Sequence, residues 1–147
     1  EHQFAVRMLS GGSAHHSLIS KGTVIEGDVR DSILSPGVHI GKGAKVRKCI
    51  LLHHVRIEEE AVLENVIVDK HSVIGKGARV GDTTLGEDAN RDYPHLLNSG
   101  TSVIGKWAYI QPGVVMGCNC LVQPKVWVEP QGKPIPSGTT LFKIERG

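Results

Sequence analysis

An aliphatic side chain recurs every six residues between Leu34 and Val80, and the pattern as a whole repeats every seventeen. Leu34, Ile40 and Val46 form one row, Leu51, Ile57 and Leu63 the next, and Val68, Ile74 and Val80 the third. Two stretches are near copies, Ile40-Gly-Lys-Gly-Ala-Lys-Val46 and Ile74-Gly-Lys-Gly-Ala-Arg-Val80. A beat of six matches neither the 3.6-residue period of an amphipathic helix nor simple alternation along one long strand. It matches a chain that turns a corner every six residues and points one aliphatic inward on each of three faces. Such a coil takes about eighteen residues and is the parallel β-helix kind of repeat. One coil cannot bury its own inward residues. Stacked coils can, because corresponding strands then lie about 4.8 Å apart and share a ladder of backbone hydrogen bonds. The seventeen-residue step predicts coils stacked in register.

Charges mark the same register. Lys42, Glu59 and Lys76 each follow a row residue by two and are seventeen apart, so stacking sets opposite signs side by side on the outside. Arg47 and Glu64 make another such pair. Exposed pairs contribute about 0–1 kcal/mol each, so they are read as register markers more than as a source of stability.

The 147 residues suffice for one domain with a sizeable core. Aromatics make up only 4% and glycine is plentiful at 18, as expected where Val, Ile and Leu fill the interior and corners need a tight backbone. A net charge of +2 is too small to argue for nucleic acid or an anionic membrane as partner. No apolar run approaches the ~18 residues a membrane span needs, and no signal sequence opens the chain. Cys49, Cys118 and Cys120 are odd in number and without paired spacing, which suggests a reduced, cytoplasmic setting. Because it starts at Glu1 instead of methionine, the chain is expected to be a piece of something longer.

Taken in order, residues 1–17 are mixed, are broken by Gly11-Gly12, and are expected to form a lead-in segment or interdomain linker. A phosphate loop needs several spaced glycines between a strand and a helix, and Gly11-Gly12 lacks them. The β-helix domain is expected over 18–147, beginning with an irregular coil at Ile19, Ile25 and Val29. Gly37, Gly41, Gly43, Gly75, Gly77 and Gly81 mark corners, where positive φ costs glycine little, and Asn65 and Asp69 can serve similarly. Residues 82–100 interrupt the beat with a loop carrying Tyr93-Pro94. Long loops in compact domains are functional or disordered, and here the expectation is a loop folded over one face or meeting another subunit or domain. The six-residue step resumes at Ile104, Ile110, Met116, Val122 and Val128. Ser102-Val-Ile-Gly-Lys106 restates Ser72-Val-Ile-Gly-Lys76, so the loop reads as an insertion. Residues 129–147 form a cap, with a last strand over Thr140 to Ile144 that protects the open end.

These hexads resemble the hexapeptide-repeat proteins that form left-handed parallel β-helices. The left hand is what that resemblance implies, since the general rule for parallel crossovers gives the right-handed form. More narrowly, the chain resembles the C-terminal domain of the glucose-1-phosphate adenylyltransferase (ADP-glucose pyrophosphorylase) family. The residues carrying this are Asp31-Ser-Ile-Leu-Ser-Pro-Gly-Val-His-Ile40, Val66-Ile-Val-Asp69 and Asn98-Ser-Gly-Thr-Ser-Val-Ile-Gly-Lys106, and the match covers roughly Ser17 to Val128. The resemblance implies a parent enzyme that makes ADP-glucose and pyrophosphate from ATP and glucose 1-phosphate for glycogen or starch synthesis, with Mg²⁺ and ATP held in an N-terminal catalytic domain. It further implies that the β-helix packs on that domain, joins subunits into tetramers and contributes to control by sugar phosphates. The glycine-rich, arginine-containing nucleotide loop of such a catalytic domain does not occur here, so no catalytic, cofactor-binding or metal residue is carried over.

Several side chains remain as candidates. Arg47, Lys48 and Arg56 could form a patch for a phosphorylated effector, since guanidinium pairs with phosphate bidentately. Tyr93, Trp107, Tyr109 and Trp127 are interface candidates, with core or corner packing as the alternative for the last three. His54 and His71, seventeen apart, should stack in adjacent coils next to His53, as surface groups. Cys118 and Cys120 are expected on one strand facing the same side, without the further ligands zinc needs. The competing function is a free-standing trimeric hexapeptide-repeat acyltransferase, with His95 as its general base.

Overall fold

The computed structural model describes residues 5–143. Within them the chain runs through twenty strands of two or three residues. In order they are β1 (Arg7–Met8), β2 (Ser13–His15), β3 (Leu18–Ile19), β4 (Val24–Ile25), β5 (Asp28–Arg30), β6 (Ile33–Leu34) and β7 (His39–Ile40). Then follow β8 (Lys45–Arg47), β9 (Ile50–Leu51), β10 (Arg56–Ile57), β11 (Val62–Glu64), β12 (Val66–Val68), β13 (Val73–Ile74) and β14 (Arg79–Val80). The last are β15 (Ser102–Ile104), β16 (Tyr109–Ile110), β17 (Val115–Met116), β18 (Leu121–Val122), β19 (Trp127–Val128) and β20 (Thr140–Leu141). From β1 to β19 every third strand joins the same parallel sheet, and β20 pairs with β18 on the third. Face one is β1-β4-β7-β10-β13-β16-β19, face two β2-β5-β8-β11-β14-β17 and face three β3-β6-β9-β12-β15-β18-β20. The result is the three-sided, left-handed parallel β-helix of the hexapeptide type.

Register follows the aliphatic beat. Ile40, Ile57 and Ile74 are direct partners on face one, Val46, Leu63 and Val80 on face two, and Leu51 and Val68 on face three. Every row residue from Leu34 to Val128 is at most 3% exposed. At about 1.5–3 kcal/mol for each fully buried aliphatic, these three columns supply the main stabilising term. The seventeen-residue step arises at the corner from face two to face three, where Asp31, Lys48 and Asn65 adopt φ of 51°, 53° and 56° and shorten the turn by a residue. Asp69 is not a corner of this kind; its Oδ1 accepts the Lys70 N–H at 2.7 Å.

Four expectations change. First, residues 7–17 are coil and not linker, for β1 pairs with β4 and β2 with β5. The sequence hides this because Met8 is 47% exposed and the inward position of β2 is only Ala14. Residues 1–4 and the end of the expected last strand at Ile144 lie outside the described residues. Second, Gly41 and Gly75 are required by the next coil and not by φ. A Cβ on Gly75 would come 2.5 Å from Pro112 N, and one on Gly41 2.8 Å from Glu58 C. Third, the two Ser-Val-Ile-Gly-Lys copies occupy different faces, Ile74 on face one and Ile104 on face three. Coil equivalence instead joins Val68 to Ile104 across the loop. Fourth, the expected ion pairs are not made. Lys42, Glu59 and Lys76 form none among the described residues, and Arg47 turns from Glu64 to Asp28.

The loop leaves after β14, makes a 3-10 turn at Thr83–Leu85, and packs back on the prism. Asn90, fully buried, ties it down. Its Nδ2 donates to Asn119 O at 3.1 Å, while its Oδ1 accepts from Asp92 N, Tyr93 N and Thr140 Oγ1. Opposite it, Asn119 Nδ2 donates to Asp88 O and Asn119 Oδ1 accepts from Gly100 N.

Candidate functional site

Arg47 lies on face two, Lys48 at the corner after it and Arg56 on face one, so the full width of face three separates the first two from the third. Arg47 Nη2 sits 2.9 Å from Asp28 Oδ2, and Arg56 Nε 3.6 Å from Glu58 Oε1. The three cations therefore do not converge on one anion. Asp28 is held below the usual carboxylate range, first by the Ser13 hydroxyl donating at 2.6 Å and then by the neighbouring Arg47 and Arg30. Seventeen-residue spacing could not reveal this cluster, because Asp28 is a diagonal neighbour of Arg47: the direct partner of Arg47 is Arg30.

Between the loop and the corner from face two to face three lies a hollow of 430 Å³. Lys48, Glu64, Asn65, Thr83, Glu87 and Asn98 are among its walls, a polar lining of mixed sign. Asn65 Oδ1 accepts from Thr101 Oγ1 at 2.9 Å and fixes one side. Below it, Cys118 and Cys120 flank Asn119, whose φ of 55° makes this a corner, so the two thiols do not share a strand. Cys118 Sγ donates to Gly86 O at 3.3 Å and Cys120 Sγ to Cys118 O at 3.5 Å. All three cysteines are buried and free. Burial pushes the Cys49 thiol up to about 12 and raises Cys120 as well, which leaves both as unreactive thiols at neutral pH.

The aromatic candidates are all at least partly exposed. Trp107 occupies the corner from face three to face one and is 54% exposed, with its ring stacked on His71 at 4.3 Å between centroids. His71 in turn stacks on His54 at 5.2 Å, the coil-to-coil pairing expected from their spacing. Tyr109 and Trp127 are direct partners on the outside of face one, edge to face at 5.8 Å, with Trp127 69% exposed. Tyr93 and His95 stand exposed in the loop. The alignment of Trp107 with the histidine column was not legible, because the inserted loop breaks the seventeen-residue spacing there.

Among the described residues no group of three or more His, Cys, Asp or Glu side chains could hold a metal ion, and no helix is long and apolar enough to cross a membrane.

Residues 4–104 match the model of the family described as GlmU-like, C-terminal hexapeptide. A glucose-1-phosphate adenylyltransferase of Acetivibrio thermocellus is 33% identical over 119 residues, covering 80% of this chain and 27% of the relative. One from Thermomicrobium roseum is 37% identical over an alignment covering 94% of this chain and 32% of the relative. The chain thus spans about a quarter to a third of the length of these curated relatives. Among solved structures, the acetyltransferase domain of PglB from Neisseria gonorrhoeae aligns over 94% of this chain and 54% of its own at 13% identity and a TM-score of 0.34.

Proposed function

Since the chain belongs to the GlmU-like C-terminal hexapeptide family, we propose that it is the assembly and regulatory domain of a glucose-1-phosphate adenylyltransferase. The observation that carries this reading is the 33% identity to such an enzyme over 80% of the chain. In the parent reaction an oxygen of the glucose 1-phosphate phosphoryl group attacks the α-phosphorus of ATP, and pyrophosphate leaves. Mg²⁺ and ATP are assigned to a catalytic domain N-terminal to this one, and the described side chains are assigned none of the chemistry. The partner is that catalytic domain, the assembly a homotetramer, the regulator a sugar phosphate and the compartment the cytoplasm.

A prism with buried aliphatic columns suits such a role, because its outer faces vary without disturbing the core. Free-standing acyl transfer has less behind it: His95 is exposed and, among the described residues, makes no hydrogen bond or ion pair to another side chain. Assay of pyrophosphate release from ATP and glucose 1-phosphate separates the two. The full-length protein should turn over and this chain alone should not, and calorimetric titration of the chain with acetyl-coenzyme A should give no heat. Turnover by the isolated chain, or acetyl-coenzyme A binding to it, would overturn the proposal.

A further inference from the structure

The outer side of face three is aliphatic at the same position in coil after coil. Leu18, Ile33, Ile50, Ile67, Val103 and Leu121 are direct partners from β3 to β18, one above another, while the next residue of each strand points into the core. The equivalent outward position carries Arg7, His39 and Arg56 on face one, and Asp28, Lys45 and Arg79 on face two. On face three it carries no charge. Leu18 is 70% exposed, Ile33 44% and Ile50 37%, the lower three are half-buried, and Thr140 ends the column below Leu121. Single exposed aliphatics need no explanation, but an unbroken row of them along a sheet marks a surface that another surface covers.

Pitch, charge and size say what fits there. The column residues are spaced by the coil step of about 4.8 Å, so the face is a ladder of ridges and gaps at that interval. A partner of unrelated fold matches such a ladder only by accident. A second copy of this chain carries the identical ladder and seats its side chains between these at every rung, as facing sheets do in a sandwich. Pairing of a face with itself across a two-fold axis also sets its charges against their own kind. Face one, with Arg7 and Arg56, would meet repulsion in that way, and face three does not. Six coils of about 4.8 Å and a width of six residues at about 3.3 Å give about 600 Å² from each copy. The total of about 1,200 Å² reaches the lower end of specific, stable interfaces.

We propose that face three is the contact between two copies of this chain, packed sheet against sheet across a two-fold axis with Ile50 and Ile67 at its centre. Such a pair would supply one two-fold contact of the homotetramer and to that extent rests on the assembly role. The pairing itself belongs to this chain and is tested without turnover, so its failure leaves the parent reaction standing. Sedimentation velocity of the chain from about 1 to 200 µM should show monomer passing to dimer, the range expected of so small an interface. Ile33→Glu with Ile50→Glu should weaken the dimer about tenfold or more. The milder Ile33→Ser with Ile50→Ser should shift it in the same direction, with far-UV spectra unchanged in both. Trp127→Glu, a more exposed position on face one, should leave the dimer as it is. A monomer at every concentration, a dimer that both face-three pairs leave intact, a dimer that Trp127→Glu dissociates, or a trimer would overturn the proposal.

Discussion

Gly75 and Gly77 lie two residues apart in one repeat and are needed for different reasons. Gly77 has φ of 68° and nothing within 4 Å of a built Cβ, so an alanine there meets only the cost of left-handed backbone, about 1 kcal/mol. Gly75 lacks positive φ, yet its Cβ would press on Pro112 N and Gln111 C of the next coil, backbone atoms that cannot swing away. Gly75→Ala should therefore lose about 3 kcal/mol. Urea unfolding of the two variants checks this, and equal losses would refute the packing argument. Asp28 gives a prediction with a pH sign. Its folded pKa is lowered from the ordinary 3.8, so its contribution is present above that value and is lost as pH falls through the folded one. Asp28→Asn should cost about 1 kcal/mol at pH 7. The gap from the parent should close as the pH drops below about 4, so urea midpoints at pH 7 and 3 decide it. A gap that stays constant would mean that the carboxylate charge contributes nothing.

The inserted loop is a long element without strands, and two buried asparagines, Asn90 and Asn119, pin it to the prism. Spacing along the sequence marks its place, because the aliphatic beat stops after Val80 and resumes at Ile104, and Val68 and Ile104 pair directly across the gap. How it is pinned was not legible, since Asn90 reaches a carbonyl 29 residues on and a hydroxyl 50 residues on, and separations of that kind leave no local pattern. The converse applies to the candidate anion patch. Arg47 and Arg56 are near in sequence, but a chain that turns a corner every six residues puts them on different faces. Asn90→Ala removes one donor and an acceptor used three times, in a site without exposure. Leaving such groups unpaired costs about 1–3 kcal/mol, enough to release the loop while the prism persists. Trypsin should then cut after Arg91 at least tenfold faster than in the parent, with the far-UV spectrum unchanged. Cleavage at the parental rate would mean that the loop is held elsewhere.

Across the molecule, each coil contacts mainly the coils above and below, so stability is a sum of local terms joined by nearest-neighbour interfaces. The middle coils are uniform: Ile40, Ile57 and Ile74 stack directly and are at most 1% exposed. That uniformity made the middle legible from the sequence alone, since a repeated inward residue is both the signal and the cause of the fold. The first coil gave no signal because it has a poorer core. Met8 is 47% exposed, Ala14 and Ile19 are only partly buried, and the step to the next coil on faces two and three is fifteen residues, as in Ala14 to Val29 and Ile19 to Leu34. Weak signal and weak packing are here the same fact. The solenoid should therefore open from its N-terminal end, with amide hydrogen exchange fastest in β1 to β3 and slowest in β7, β10 and β13. Joining the proposed catalytic domain ahead of Glu1 should slow exchange in β1 to β3 selectively, because a partner packed there would supply the apolar cover that Met8 lacks. Equal exchange in the first and middle coils of this chain would contradict the nearest-neighbour account. Unchanged exchange at β1 to β3 in the full-length protein would place the catalytic domain on another surface.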